Sequence, residues 1–150
     1  MPYAGNNQII IPSIGVAQDT TTVPLVNGTW DVNALGSDIG WLDRTGTKPG
    51  DRFAMAYAGH VVVNKTEPGP LADLDQLQIG DIIIIRRDGM EYTYVVESFE
   101  EVRSYEVSKL YVRDGNMLVL VTCSGFTEDS NAYTTRLLVK SRLLSSVPLQ

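Results

Sequence analysis

The chain has 150 residues, of which 43% are hydrophobic and 20% charged, with a net charge of −6 at neutral pH. A chain of this length fits one domain, here 1–150, that buries roughly 68–70% of its unfolded surface and needs neither metal nor disulfide to hold a core. The acidic balance argues against a nucleic-acid partner, a single cysteine cannot form an internal disulfide, and one cysteine with one histidine falls short of the four ligands of a closed zinc site. No apolar run approaches the roughly 18 residues of a membrane span, and the opening "MPYAGNNQ" does not have the pattern of a signal peptide.

In chain order, "QIIIPSIGVAQ" (8–18) predicts two short strands, with Pro12 at a break. "VNGTWDV" carries Asn27-Gly28, a tight-turn pair. "GSDIGWLDRTGTKPGD" is rich in turn residues, with one helical turn expected at 39–42. "RFAMAYAGHVVV" (52–63) reads as a long strand. "PLADLDQL" (70–77) is the best helix candidate, because Pro70 suits a first turn and Leu71, Leu74 and Leu77 share a face. "DIIIIRR" (81–87) reads as a strand buried on both sides, and Asp88-Gly89 turns the chain into "MEYTYVVESFEEV". "RDGN" turns it again into "MLVLVTC", and "TTRLLVKSRLL" (134–144) forms the last strand. The expected fold is mainly β: one closed or nearly closed, mainly antiparallel barrel of about eight strands, with one or two short helices.

Chemistry concentrates on three residues. Cys123 ends the apolar run "LVLVTC" and is followed by the polar loop "SGFTEDSN". Free cysteines mostly serve as small buried hydrophobes, but a strand end beside a loop lets a side chain be anchored and still meet solvent. His60 follows the small residues Ala56, Ala58 and Gly59, which are expected to leave open space beside the strand. Arg136 starts the last strand, and a hairpin connection from 124 to 135 would bring it next to Cys123. An ordinary thiol has a pKa of about 8.5, and a neighbouring imidazolium or guanidinium favours its thiolate. Thiolate attack on an amide creates an oxyanion, which a guanidinium can stabilise with several hydrogen bonds. An imidazole can protonate the leaving amine and then deprotonate the incoming nucleophile.

These segments resemble the sortases, cysteine transpeptidases that attach proteins to the bacterial cell surface or polymerise pilins. "IIIPSIGV" resembles the family's opening strand. "KPGD" followed by "AGH" resembles the segment bearing the catalytic histidine, and "LADLDQLQIGDIIII" resembles the helix and strand that follow it. "LVTC" resembles the end of the family's T-L-x-T-C, and "RLLV" the strand that carries its essential arginine. The resemblance implies catalytic His60, Cys123 and Arg136, with Ala58, Thr122 and Ser124 lining the peptide site. Val119 departs from the family's threonine at the start of T-L-x-T-C, and Val61 stands where a polar or basic residue is frequent. The implied partners are a sorting-signal peptide of the L-P-x-T-G kind and an amine of a cell-wall precursor or pilin lysine. The implied location is the outer face of a bacterial membrane, through an anchor this chain lacks.

No cofactor is expected. The acidic stretches 97–101 and 128–130 resemble those that bind calcium in some sortases, but they form no tight ligand cluster and read as solvated loops. Trp30, Trp41, Tyr92 and Tyr94 are expected in packing rather than in a groove. The triplets "NGT" (27–29) and "NKT" (64–66) match the glycosylation pattern, which arises often by chance. Two alternatives remain beside the transpeptidase: a cysteine hydrolase acting on the same peptides, and a non-catalytic β-barrel binding module with Cys123 packed.

Overall fold

The computed structural model describes residues 7–27, 29–30, 35–60, 68–103, 107–127 and 132–149. Ten strands run along them: β1 (Gln8–Ile11), β2 (Val16–Val23), β3 (Leu25–Val26), β4 (Thr29–Trp30), β5 (Ile39–Leu42), β6 (Met55–Gly59), β7 (Ile82–Arg87), β8 (Met90–Arg103), β9 (Met117–Thr127) and β10 (Ala132–Pro148). Eight of them close a barrel in the order β1-β2-β5-β6-β9-β10-β8-β7, and β3 pairs with β4 alone. Two neighbouring pairs in the barrel, β2 with β5 and β6 with β9, are parallel. Helical structure among the described residues is limited to single 3-10 turns at Pro12–Ile14, Leu74–Gln76 and Val107–Leu110.

Turn chemistry explains the hairpins. Gly15 at φ 72° reverses the chain after Pro12–Ile14. Asp88 and Gly89 both take positive φ, 51° and 80°, as a two-residue hairpin loop requires. Alternation along the strands then builds two cores. Met55, Tyr57, Leu118, Leu120 and Val139 fill the barrel interior with Ile9, Ile11, Ile83 and Ile85. The opposite faces of the same central strands carry Ala54, Ala56, Ala58, Val119, Val121 and Leu138. These pack outside the barrel under Trp30, Leu35 and Leu110. Strand β6 and residues 117–122 of β9 are therefore buried on both faces, which is why "LVLV" shows no polar alternation.

Five local expectations are corrected. Residues 39–42 form strand β5 rather than a helical turn, and all four are buried as the strand joins β2 to β6. The strand expected over 52–63 is confined to Met55–Gly59 among the described residues; Ala54 is already turned to donate its N–H to the Val112 carbonyl. No α-helix forms over 70–77. Spacing by three matches a 3-10 period as well as a helix face, and Leu71, Leu74 and Leu77 bury themselves from turns. Strand β7 buries Ile83 and Ile85 but leaves Ile82 and Ile84 half-exposed, because an antiparallel wall needs only one covered face. The acidic residues 97–101 lie in β8, not in a loop, whereas residues 64–66 and 128–130 lie outside the described residues. Trp30, Trp41, Tyr92 and Tyr94 are all buried, as expected.

Candidate active site

Three consecutive strands, β6, β9 and β10, set the level of every predicted site residue. Ala58 pairs with Val121, which pairs with Leu138. One level further, Gly59 pairs with Thr122, which pairs with Leu137. One level beyond that, Cys123 is the direct antiparallel partner of Arg136, and Arg136 pairs in turn with Val102 of β8. Direct partners in an antiparallel ladder have Cα atoms about 4.5–5.5 Å apart. His60 leaves β6 immediately after the Gly59–Thr122 pair, so it starts its departure beside the level of Cys123. The fold thus brings His60, Cys123 and Arg136 to the same end of three adjacent strands. Ser124 follows on β9, opposite Thr135.

The rows beneath them are apolar. Ala58, Val121 and Leu138 belong to the outer core, as does Val102, and together they underlie this end of the sheet. The small residues before His60 do not open a groove there. Ala56 and Ala58 are packed against that core, and Ala58 is only 5% exposed. Gly59 is small for a different reason: a Cβ on it would lie 2.9 Å from both Cγ and Cδ1 of Leu71 and 3.2 Å from Cγ1 of Ile39. His60 and Arg136 are half-buried, each with an anchored backbone and some access to solvent.

Two hydrogen bonds fix the chain as it reaches His60. The Thr122 hydroxyl, buried at 4% exposure, donates to the Gly59 carbonyl at 2.8 Å. The Leu71 N–H donates to the His60 carbonyl at 3.1 Å. Thr122, expected to line the peptide site, therefore has its proton committed to the adjacent strand. Leu71 was legible in the sequence only as a member of an apolar face; its backbone contact with residue 60 had no local signal.

The wall next to Arg136 is held by charge. Glu100 of β8 accepts from Lys140 of β10 at 2.9 Å and from Lys109 in the Val107–Leu110 turn at 3.3 Å. These bonds, first that of Lys140 and then that of Lys109, hold the Glu100 carboxyl below its ordinary value. Leu110 from the same turn enters the outer core beside Val102. Tyr111 meets Trp30 at a tilt and Phe53 edge-on, with ring centroids 5.5 and 5.3 Å away. At the opposite end of β9, where the Gly50 N–H donates to the Gly115 carbonyl, the "KPGD" loop is closed by Asp51, which accepts from the Thr47 N–H and hydroxyl at 2.7 Å each; these bonds lower its pKa. Among the described residues no group of three or more His, Cys, Asp or Glu side chains is placed to hold a metal ion.

The sortase-domain family model matches residues 9–144. No curated protein matches the chain. Among solved structures, sortase C-1 from Actinomyces oris is similar at 26% identity and a TM-score of 0.74, over 93% of this chain and 73% of that one. Sortase C1 from Streptococcus agalactiae is similar at 25% identity and a TM-score of 0.74, over 94% of this chain and 68% of that one. A Clostridium perfringens sortase D5 transpeptidase shares the fold at 24% identity and a TM-score of 0.70, over 94% of this chain and 79% of that one.

Proposed function

This chain belongs to the sortase family of cysteine transpeptidases, enzymes of the cell surface that act on sorting signals and amine acceptors, and from that premise we propose that Cys123, His60 and Arg136 are its reacting groups. The observation that supports this reading is the register: Cys123 faces Arg136 across β9 and β10, one level above the Gly59–Thr122 pair that precedes His60. A packed, inert cysteine in a binding module would not require the chain's single imidazole and a guanidinium at the same level of neighbouring strands.

The substrate in this reading is a peptide of the L-P-x-T-G kind lying across the end of β6, β9 and β10. The Cys123 sulfur, as thiolate, attacks the carbonyl carbon before the scissile bond, and the carbonyl electrons move onto oxygen. Arg136 donates hydrogen bonds to that oxyanion, a charge that water would otherwise have to reorganise to meet. The intermediate collapses to a thioester as the C–N bond breaks, and His60 delivers a proton to the departing amine. An amine of a cell-wall precursor or pilin lysine then attacks the thioester carbon and gives its proton to His60. Collapse forms the new amide and releases the Cys123 thiolate. Water in place of the amine would give the hydrolase alternative.

Mass spectrometry of the intact protein mixed with sorting-motif peptides tests the reading. The expected product is a thioester adduct on Cys123, discharged to an amide when an oligoglycine-type amine is added. An adduct that only water discharges would make the protein a hydrolase, and no adduct with any such peptide would remove the assignment of Cys123.

A further inference from the structure

We propose that Thr122 is a positioning residue whose side chain pins the strand carrying His60 to the strand carrying Cys123, with Leu71 closing the lock from the other side. This inference rests on the assignment of His60 and Cys123 as a reacting pair. Strand β6 ends at Gly59, so His60 directly follows the Gly59–Thr122 ladder pair. Two donors bind consecutive carbonyls at this point. The Thr122 hydroxyl binds the Gly59 oxygen at 2.8 Å, and the Leu71 N–H binds the His60 oxygen at 3.1 Å. The two donors come from different elements, β9 and the turn before Leu74–Gln76. Leu71 also fills the space a Cβ at residue 59 would need, so the glycine lets this turn close directly on the end of the strand.

Packing does not explain the threonine. Thr122 follows Leu118 and Leu120 on the inward-facing row of β9, where an isosteric valine would suit an apolar run equally well. A buried hydroxyl is retained at a net benefit only when its bond is made, and here it is made to the residue that precedes His60. The bond joins residues 63 positions apart and fixes how far His60 sits along the strand axis relative to Cys123.

One histidine and one cysteine in the chain make clean reporters. The experiment titrates the His60 imidazole by NMR before and after blocking Cys123 with a neutral alkylating reagent. It is run on wild type, Thr122→Val and Thr122→Ser, alongside steady-state kinetics with a sorting-motif peptide. Two adjacent titrating groups are coupled, so blocking should move the His60 midpoint in wild type and in Thr122→Ser, and by less than about half as much in Thr122→Val. A displacement of about half an ångström should cost on the order of tenfold in kcat, with KM held within about twofold. Thr122→Ala gives the same direction should valine crowd the site. A Thr122→Val enzyme that keeps the coupling and kcat overturns the lock, and a raised KM in that enzyme would assign the hydroxyl to the peptide instead. Absence of coupling in wild type is a different failure, since it would remove His60 from Cys123 and with it the proposed mechanism.

Discussion

At the end of the barrel reached by Gly59 and Arg136, the buried Thr122 hydroxyl is bonded and joins two strands. In the opposite half, the hydroxyls of Tyr94 and Ser141 are buried with no protein partner among the described residues. There the Arg87 guanidinium lies 4.2 Å from the centre of the Trp41 ring and caps the interior, while the Trp41 N–H donates to the Gly46 carbonyl. Burial pushes the phenols of Tyr57 and Tyr94 above their ordinary pKa, the neighbouring Arg87 opposing the shift at Tyr57. Both ends thus combine a cation, aromatic or apolar packing and buried hydroxyls. The difference is that the near-end hydroxyl is bonded to a carbonyl of the neighbouring strand and ties the two together, whereas the Tyr94 and Ser141 hydroxyls have no protein partner among the described residues.

Substitution should separate the two ends. Cys123→Ala should abolish transpeptidation with the unfolding midpoint unchanged, and Arg136→Lys should cost about 10²–10³ in kcat because the guanidinium fork is lost. Arg87→Lys at the far end should leave the rate alone and cost only about 1 kcal/mol of stability through the Trp41 contact. A rate loss in Arg87→Lys matching that of Arg136→Lys would erase the distinction.

The next effect concerns the packing at residue 59. Gly59→Ala should destabilise by about 1–3 kcal/mol in denaturant titration, since its Cβ must displace Leu71. Leu71→Ala removes a fully buried side chain and is itself costly, but the two changes together should cost less than the sum of the single ones, and full additivity would show that they do not touch. Tyr94→Phe sharpens the contrast from the other end. Removing an unbonded buried hydroxyl should be neutral or stabilise by up to about 1 kcal/mol, whereas a clear loss would mean that the hydroxyl has a partner.

The smallest expected effect is electrostatic. Glu100 has its pKa lowered by Lys140 and then Lys109, so its contribution is present above the ordinary carboxylate value and is lost as pH falls through the lowered one. These are partly exposed pairs, and Glu100→Gln should remove only about 0.3 kcal/mol at neutral pH, flattening the acid limb of the stability curve. An unchanged acid limb would leave the Val107–Leu110 turn held by Leu110 packing alone.

Legibility followed the range of the interaction. The Asp88-Gly89 hairpin, the break at Pro12 and the apolar run of β9 were readable because turn chemistry and burial act within a few residues. The strand at 39–42 was not, since burial on both faces removed the alternation that marks a strand. Leu71, Leu74 and Leu77 announced burial correctly but not its geometry, because spacing by three serves more than one kind of turn. Ala56 and Ala58 looked like an opening and proved to be a floor, a distinction that depends on which side chains arrive from elsewhere.

Residue chemistry was available from the order of amino acids alone: one thiol at the end of an apolar strand, one imidazole after a run of small residues, and an arginine at the start of the final strand. Their common level was decided only when β6 joined β9 in parallel and β10 returned beside it. Closing a barrel brings together strands more than sixty residues apart, and the register between them is chosen by the fit of both cores at once, a choice that local pattern does not encode.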